Sequence, residues 1–380
     1  MEHLFQRYFW PNVRRIAGVT SSGPAAVTLI GDRPSTRYFV NRFFDVCAEE
    51  TDLGVMPVAR LISKMNRYCD ESDLVVGRIA SPFSRTLARL GACSAPLMVQ
   101  PKLRLPLTEV RAAEIRKRQR DNIRKIRKNE LSYRISTDPS DFDYFVDRVY
   151  LPFVKRRFQD LAGIMPRAKM LRRFRDGGIM WIMRDGERVA GELFARRGHR
   201  LKSVSSGTFE GREDLVEAGA LSATYHFMTE WASAQNFTLL DWGGCDPTLA
   251  SGVLATKKRW GAELYCDPFQ RFEILFAWKR FGPAIRSFLN RTPLIVRHGK
   301  GLVGLSATPT EDPPSREDLE SLANRHWMPG LAGFYIVAGD SAALAPDSRG
   351  GEPGRIWLAT PGTPRACLLS ARPLSEFVGG

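Results

Sequence analysis

The sequence is short of the residues that build metal and covalent chemistry. It has six cysteines and five histidines among 380 residues. Cys47, Cys69, Cys93, Cys245, Cys266 and Cys367 form no Cys-x-x-Cys pair and share no metal-ligand spacing with the histidines. That argues against the common zinc and iron–sulfur frameworks and points to reduced thiols in a cytoplasmic protein. No Ser/His/Asp or Cys/His nucleophile pattern emerges. No apolar run approaches the roughly 18 residues of a spanning helix. The opening residues, MEHLFQRYFWP, lack the long apolar run and small-residue cleavage site of a secretory leader. Glycine-rich phosphate loops of the Walker or Rossmann kind are missing, as is any solenoid repeat. Acidic residues are the scarcer charge: 41 Asp and Glu face 56 Lys and Arg, for a formal net charge of +15. Such a chain favours anionic partners, whether phosphate-bearing cofactors or sugars, nucleic acid, or an acidic membrane face.

What is present fits a globular protein. The chain is 43% hydrophobic and 10% aromatic, and its length allows two or three domains of about 100–200 residues. The first hundred residues alternate strand and helix patterns. Ala26–Ile30 reads as a strand, Ser35–Glu50 as a helix with Ser35 at its N-cap, Val55–Ile62 and Leu74–Ala80 as strands. Phe83–Leu90 reads as a short helix and Leu97–Leu105 as a strand. Leu107–Glu130 reads as one basic helix. Residues 102–134 hold twelve Lys and Arg against four Asp and Glu. The segment is either a linker helix with one thin packed edge or an anion-binding arm for RNA or a phosphorylated substrate. The lack of interleaved aromatics weakens a single-strand RNA role.

A strand at Leu131–Thr137 and a helical region at Asp141–Gln159 follow. Three strands then run consecutively, Gly178–Arg184, Arg188–Arg196 and Leu201–Thr208, the first two joined by the turn pair Asp185-Gly186. Leu215–Gln235 reads as a helix of about five turns. Its buried stripe is Ala218, Leu221, Tyr225, Met228 and Ala232. Leu264–Ile274 reads as a strand leading into Leu275–Leu289. Phe276, Trp278, Phe281 and Phe288 mix there with Lys279, Arg280 and Arg286, so the segment is either a core helix or a membrane-surface helix. From Ala307 onward Pro, Gly, Ser, Asp and Glu dominate, with two short apolar runs at Leu331–Ala338 and Ile356–Ala359, which predicts a loosely folded or appended region.

The chemistry concentrates at residues 238–261. A short strand ends in Asp241, followed by Trp242, Gly243, Gly244, Cys245, Asp246 and Pro247. Asp246 at the N-cap and Pro247 at the first helical position predict a helix from about Pro247 to Trp260, stopped by Gly261. Its N-terminus would offer free N–H groups and partial positive charge beyond the glycines. On a helical wheel Leu249, Val253, Thr256 and Trp260 share a face, Lys257 falls at its border and Lys258 points to solvent. Lys257 is thus either a functional ammonium or a lysine covering apolar surface. Asp241 either handles a proton or caps the turn at Gly243 and Gly244. In Ala190-Gly191-Glu192-Leu193-Phe194, alternation puts Glu192 beside Phe194 and Arg196. Glu192 therefore lines a cleft or forms an exposed ion pair. Cys245, next to the glycines, has no histidine nearby in sequence to activate it.

The run Leu240-Asp241-Trp242-Gly243-Gly244 with the downstream Lys257-Lys258-Arg259-Trp260-Gly261 resembles one branch of the GNAT superfamily. That branch contains the CelD-type acetyltransferase domain and the Fem-type aminoacyl transferases. Arg120–Lys128 with Leu131–Ile135 resembles the basic helix and strand that open this domain, and Gly186–Phe194 is similar to its central hairpin. The resemblance spans residues 107–290. Two departures stand out. Thr256 occupies the place of an aromatic before the motif lysine. The loop Gly211-Arg212-Glu213-Asp214 stands where ordinary members carry their phosphate loop.

The resemblance implies an α/β (α+β) fold, a GNAT-like mixed sheet flanked by helices, with two tandem halves. It implies an N-terminal half over 1–106, an acyltransferase domain over 107–300 and a less ordered region over 301–380. It implies N-acyl transfer to an amine of a sugar, envelope or exopolysaccharide precursor, from acetyl-CoA or another acyl-CoA and without a metal. In that frame Asp241, Lys257 and Glu192 carry catalysis, with Glu192 or Asp241 as base, and Gly243, Gly244 and Arg212 contact the donor. The alternatives are a Fem-type transferase using aminoacyl-tRNA, with the tRNA on the basic helix 107–130, and a non-catalytic scaffold that binds anionic polymers. The protein is expected in the cytoplasm, with membrane-surface contact through 275–289.

Overall fold

The computed structural model describes residues 9–158, 163–267, 270–310, 314–338 and 356–373. The leader reading of residues 1–8, and the parts of the C-terminal region at 339–355 and 374–380, lie outside the described residues. The chain divides into two compact units. One comprises residues 100–245 and 252–265, the other residues 1–99, 246–251 and 266–380. Three sheets with flanking helices make the fold a mixed α/β one.

The unit of residues 100–245 and 252–265 is built on a seven-stranded sheet. Its strands are β1 (Gln100–Arg104), β2 (Ser132–Ser136), β3 (Gly177–Arg184), β4 (Glu187–Arg197), β5 (Arg200–Thr208), β6 (Leu239–Asp241) and β7 (Glu263–Tyr265). Their spatial order is β7-β1-β6-β5-β4-β3-β2. Asp185 and Gly186, both with positive φ, turn β3 into β4 as the sequence predicts. Neighbours are antiparallel except β5 and β6, which run parallel and pair only from Arg200–Leu239 to Lys202–Asp241. One sheet face is covered by the segment Pro139–Phe158, where Phe142, Phe145, Val149, Trp181 and Leu193 close into a core. On helix Ala220–Ala234, Trp231 packs its ring 5.0 Å from Phe194.

Two helices expected to be continuous are broken. The basic helix is Glu109–Arg118 followed by Arg120–Lys128, interrupted at Gln119, whose backbone leaves helical geometry. Gln119, Ile115 and Ile126 are its buried residues. The long helix splits at Gly219 into Glu213–Glu217 and Ala220–Ala234. Gly219 has φ of 96°, and a Cβ there would lie 3.2 Å from the Lys125 Cβ, so both geometry and crowding call for glycine.

The other unit holds two sheets. The first orders Val46–Val55, Asn12–Thr20, Gly23–Ile30, Leu74–Ala80, Phe272–Ala277 and Cys93–Pro96. Several sequence expectations are corrected here. The helix predicted over Ser35–Glu50 is Pro34–Phe43, and its second half begins the strand Val46–Val55. The strand predicted at Val55–Ile62 is largely the helix Val58–Ser63. Residues 275–289 are no single helix: Phe276 lies in the strand Phe272–Ala277, and the helix begins only at Pro283. Phe276, Trp278, Phe288 and Leu289 are buried in this unit's core.

The described parts of the C-terminal region are ordered as a second sheet. Leu294–His298, Gly301–Ala307, Gly333–Val337, Ile356–Ala359 and Arg372–Pro373 pair in that order. Val303, Leu305, Val337 and Ala359 join the same core as Phe39 and Phe276. Proline and glycine enrichment there marks turns between short buried strands. Among the described residues no helix is long and apolar enough to cross a membrane, and no group of three or more His, Cys, Asp or Glu could hold a metal ion.

Candidate functional site

The helix bearing Lys257 starts later than the sequence predicts. It spans Gly252–Arg259. The preceding residues form a bend and a turn around one isolated bridge, Thr248 to Leu294: the Leu249 N–H donates to Pro293 O, the Ile295 N–H donates to Pro247 O, and the Thr248 hydroxyl also donates to Pro293 O. Asp246 is therefore not the N-cap of that helix, because partners some 45 residues along satisfy the segment's backbone as a bridge. Burial raises the Asp246 carboxyl above its usual range.

The shift also turns the helix. Leu254, Lys257 and Trp260 are buried, while Val253 is exposed. Lys257 is thus inside the unit, not at a border. Lys258 is half-buried and its ammonium is disfavoured by burial and by Arg118, so it does not simply point to solvent. Thr256 turns back on its own helix, donating to Gly252 O at 2.9 Å.

Lys257 Nζ donates to the Gly243 carbonyl at 3.1 Å and to Cys245 Sγ at 3.3 Å. Gly243 has φ of 75°, and a Cβ there would come within 3.2 Å of Ser203 O. The loop after β6 is thereby folded against β5, at the place where the parallel β5–β6 pairing stops. The Gly243 N–H donates to Asp241 Oδ1 at 2.9 Å, and Lys202 Nζ lies 3.4 Å from Asp241 Oδ2. Asp241 thus caps its own turn and takes an ion pair, the structural role weighed from the sequence. No distinctive geometry of its own marks Gly244.

Glu192 sits on β4 and is 3% exposed. Ser203 Oγ donates to its Oε1 at 2.6 Å. Burial pushes the Glu192 carboxyl up to about 7, partly offset by hydrogen bonds from Ser203, Ser206 and the Val204 backbone and by the charge of Lys257. Tyr225 belongs to the same surroundings. Burial raises its phenol above the usual range, and the charges of Glu192 and Cys245 add to that. Its ring lies 4.7 Å from Trp242 and 6.0 Å from Trp260, stacked nearly parallel to the latter. The indole N–H groups of Trp242 and Trp260 are buried without a hydrogen-bond partner among the described residues.

The structure therefore brings Glu192, Lys257 and the Gly243 loop together, and adds Ser203, Cys245 and Tyr225. Cys245 and Tyr225 were visible in the sequence only as a loop thiol and a buried stripe residue. Arg212 lies apart from this group. It is exposed, pairs with Asp214 through Nε at 3.0 Å, and lines a separate cleft with Tyr144, Arg184, Arg188 and Phe209.

A buried carboxyl titrating near 7 gives a stability prediction. The folded state holds the Glu192 proton more tightly than the unfolded chain, whose value is near 4.5. The stabilisation from the protonated form is complete below about 4.5 and is lost as pH rises through about 7. The gap corresponds to about 3 kcal/mol at 1.4 kcal/mol per pH unit. Denaturant unfolding from pH 4.5 to 8 should show Glu192→Gln gaining on the wild type across that window and holding a constant lead above it. Parallel curves would mean that Glu192 titrates normally.

No protein-family model and no curated protein matches the chain. Solved structures do match parts of it. FemX is 12% identical, with 69% of this chain and 88% of that chain covered, at a TM-score of 0.36. L-PGS from Bacillus licheniformis is 11% identical, covering 71% and 86%, at 0.34. The C-terminal domain of a putative lysylphosphatidylglycerol synthetase from Agrobacterium fabrum is 9% identical, covering 69% and 83%, at 0.32. Likeness at this level leaves the function to be argued from the residues of the chain itself.

Proposed function

We propose that the protein is an N-acyltransferase in which Glu192 is the base that deprotonates an amine acceptor. The observation that carries this reading is a 3% exposed carboxyl, held at about 7 and bonded to a serine, in one polar group with a buried lysine. A carboxyl in that range exchanges a proton efficiently at neutral pH. An acceptor ammonium gives its proton to Glu192. The amine nitrogen then bonds to the acyl carbon of a thioester, and the carbon–sulfur bond breaks. The nitrogen sheds its second proton, which passes to the departing thiolate, giving an amide and free thiol.

Lys257, clipped to Gly243 O and Cys245 Sγ, supplies a fixed positive charge beside the developing oxyanion. Asp241 keeps the loop in shape. Gly243 and Gly244 are the proposed donor contacts, whereas Arg212, paired with Asp214 in a separate cleft, is set aside from that role. The donor is acetyl-CoA or a longer acyl-CoA, and the acceptor an amine of a sugar or cell-envelope precursor, in the cytoplasm.

One observation favours a second donor class. Arg116, Lys117, Arg118, Arg120, Arg124, Arg127 and Lys128 are all exposed on the two basic helices, a surface suited to the phosphates of aminoacyl-tRNA. Thermal unfolding with acetyl-CoA, longer acyl-CoAs and charged tRNA separates the readings. A donor at 100 times its Kd stabilises the fold by about 2.7 kcal/mol. An acyl-CoA that raises the melting temperature and passes its labelled acyl group to an amine supports the leading reading. Stabilisation by charged tRNA alone selects the second. With neither, the protein is a non-catalytic binder of anionic polymers.

A further inference from the structure

Ser203 and Ser206 are three residues apart on β5, and in a regular strand that spacing puts them on opposite faces. The pairing with β4 shows otherwise. Glu192 is opposite Ser206, Leu193 is opposite Ser205, and Phe194 is opposite Ser203, so the register shifts between Ser203 and Ser205. Val204 is the extra residue of a β-bulge. Alternation along β4 puts Glu192 and Phe194 on one face, so their partners Ser206 and Ser203 are both on that face.

The geometry points to a positioning device: the Val204 bulge delivers both serine hydroxyls to Glu192, and Ser203 fixes the orientation and proton affinity of that carboxyl. The 2.6 Å bond from Ser203 Oγ to Oε1 is its direct expression. Every donor the bulge supplies favours the ionised carboxylate over the acid. Lys257, on helix Gly252–Arg259, acts in the same direction. Tyr225, on helix Ala220–Ala234, feels the charge of Glu192 together with those of Cys245 and, in the opposite sense, Arg157. Removing the Ser203 hydroxyl leaves burial less opposed, so the carboxyl should hold its proton to higher pH.

This inference rests on Glu192 as the site's base, and its test is chosen to read the two apart. The Glu192 carboxyl is titrated by infrared difference spectroscopy against Glu192→Gln, in the full-length protein without donor. Ser203→Ala should move the midpoint upward by about one pH unit. Ser203→Thr, which keeps a hydroxyl, should restore it. Ser206→Ala should move it the same way, and serves if Ser203→Ala does not fold. A midpoint unmoved in Ser203→Ala, or in Ser206→Ala where that variant stands in, overturns the inference. The pH profile of acyl transfer then judges the base separately. An acid limb that moves with the titration supports Glu192 as base, whereas a limb that stays while the carboxyl moves removes that role and leaves the device intact.

Discussion

Glu192→Gln should lose acyl transfer by a factor of about 10²–10⁴ while remaining folded. The range is that of a positioned general base, about 2.7–5.5 kcal/mol of transition-state stabilisation. Gln keeps the shape and an acceptor oxygen for the Ser203 hydroxyl, but cannot take the amine proton. The variant should also be more stable than the wild type above pH 7, because it no longer buries a carboxylate at 3% exposure. Loss of activity with gain of stability is the combination expected of a group kept for function. A Gln variant with wild-type turnover would move the base elsewhere.

Lys257→Met should lower transfer by about 10²–10³, the range for losing a preorganised partner of transition-state charge. Met roughly fills the volume of the buried lysine stem, so packing survives. Gly243 O and Cys245 Sγ lose that donor, and the loop held 3.1 Å from Nζ loosens. The same change removes the positive charge facing Glu192, so the Glu192 midpoint should rise. Lys258→Met, one residue on, lacks these contacts and should keep activity within about threefold. Single-turnover transfer for both variants checks the pair. Equal losses would mean that the helix as a whole, not the Lys257 ammonium, is what matters.

The site was legible in part. Asp241 at a strand end follows from turn chemistry, alternation left Glu192 between a cleft and an exposed ion pair, and the wheel put Lys257 only at the border of the apolar face. These signals are local, and the structure keeps them together. What stayed hidden depends on contacts distant in sequence. Nothing in Asp246-Pro247-Thr248 says that its backbone will pair with residues 293–295, and a good capping signal therefore named the wrong helix start. The bulge at Val204 is invisible in Ser203-Val204-Ser205-Ser206, because alternation assumes the register that a bulge breaks. Cys245 looked isolated because its lysine partner arrives twelve residues later along the chain.

The fold shows the same division. The hairpin at Asp185-Gly186 and the strands around it were clear from alternation. The break at Gly219 was not, since a single glycine inside a helical pattern is usually tolerated. The apolar runs Leu331–Ala338 and Ile356–Ala359 do carry strands, but their shortness and the surrounding proline and glycine hid their pairing into one sheet. The apolar residues of its strands are mostly buried.

The most direct test is the pH dependence of transfer, measured under single turnover with whichever donor stabilises the protein. Wild-type transfer should rise with pH through an acid limb near 7, at the midpoint of the Glu192 titration. Glu192→Gln should be slow at every pH and lack that limb. A wild-type profile flat from pH 5 to 8, or a Glu192→Gln variant that keeps the limb, would contradict Glu192 as the base.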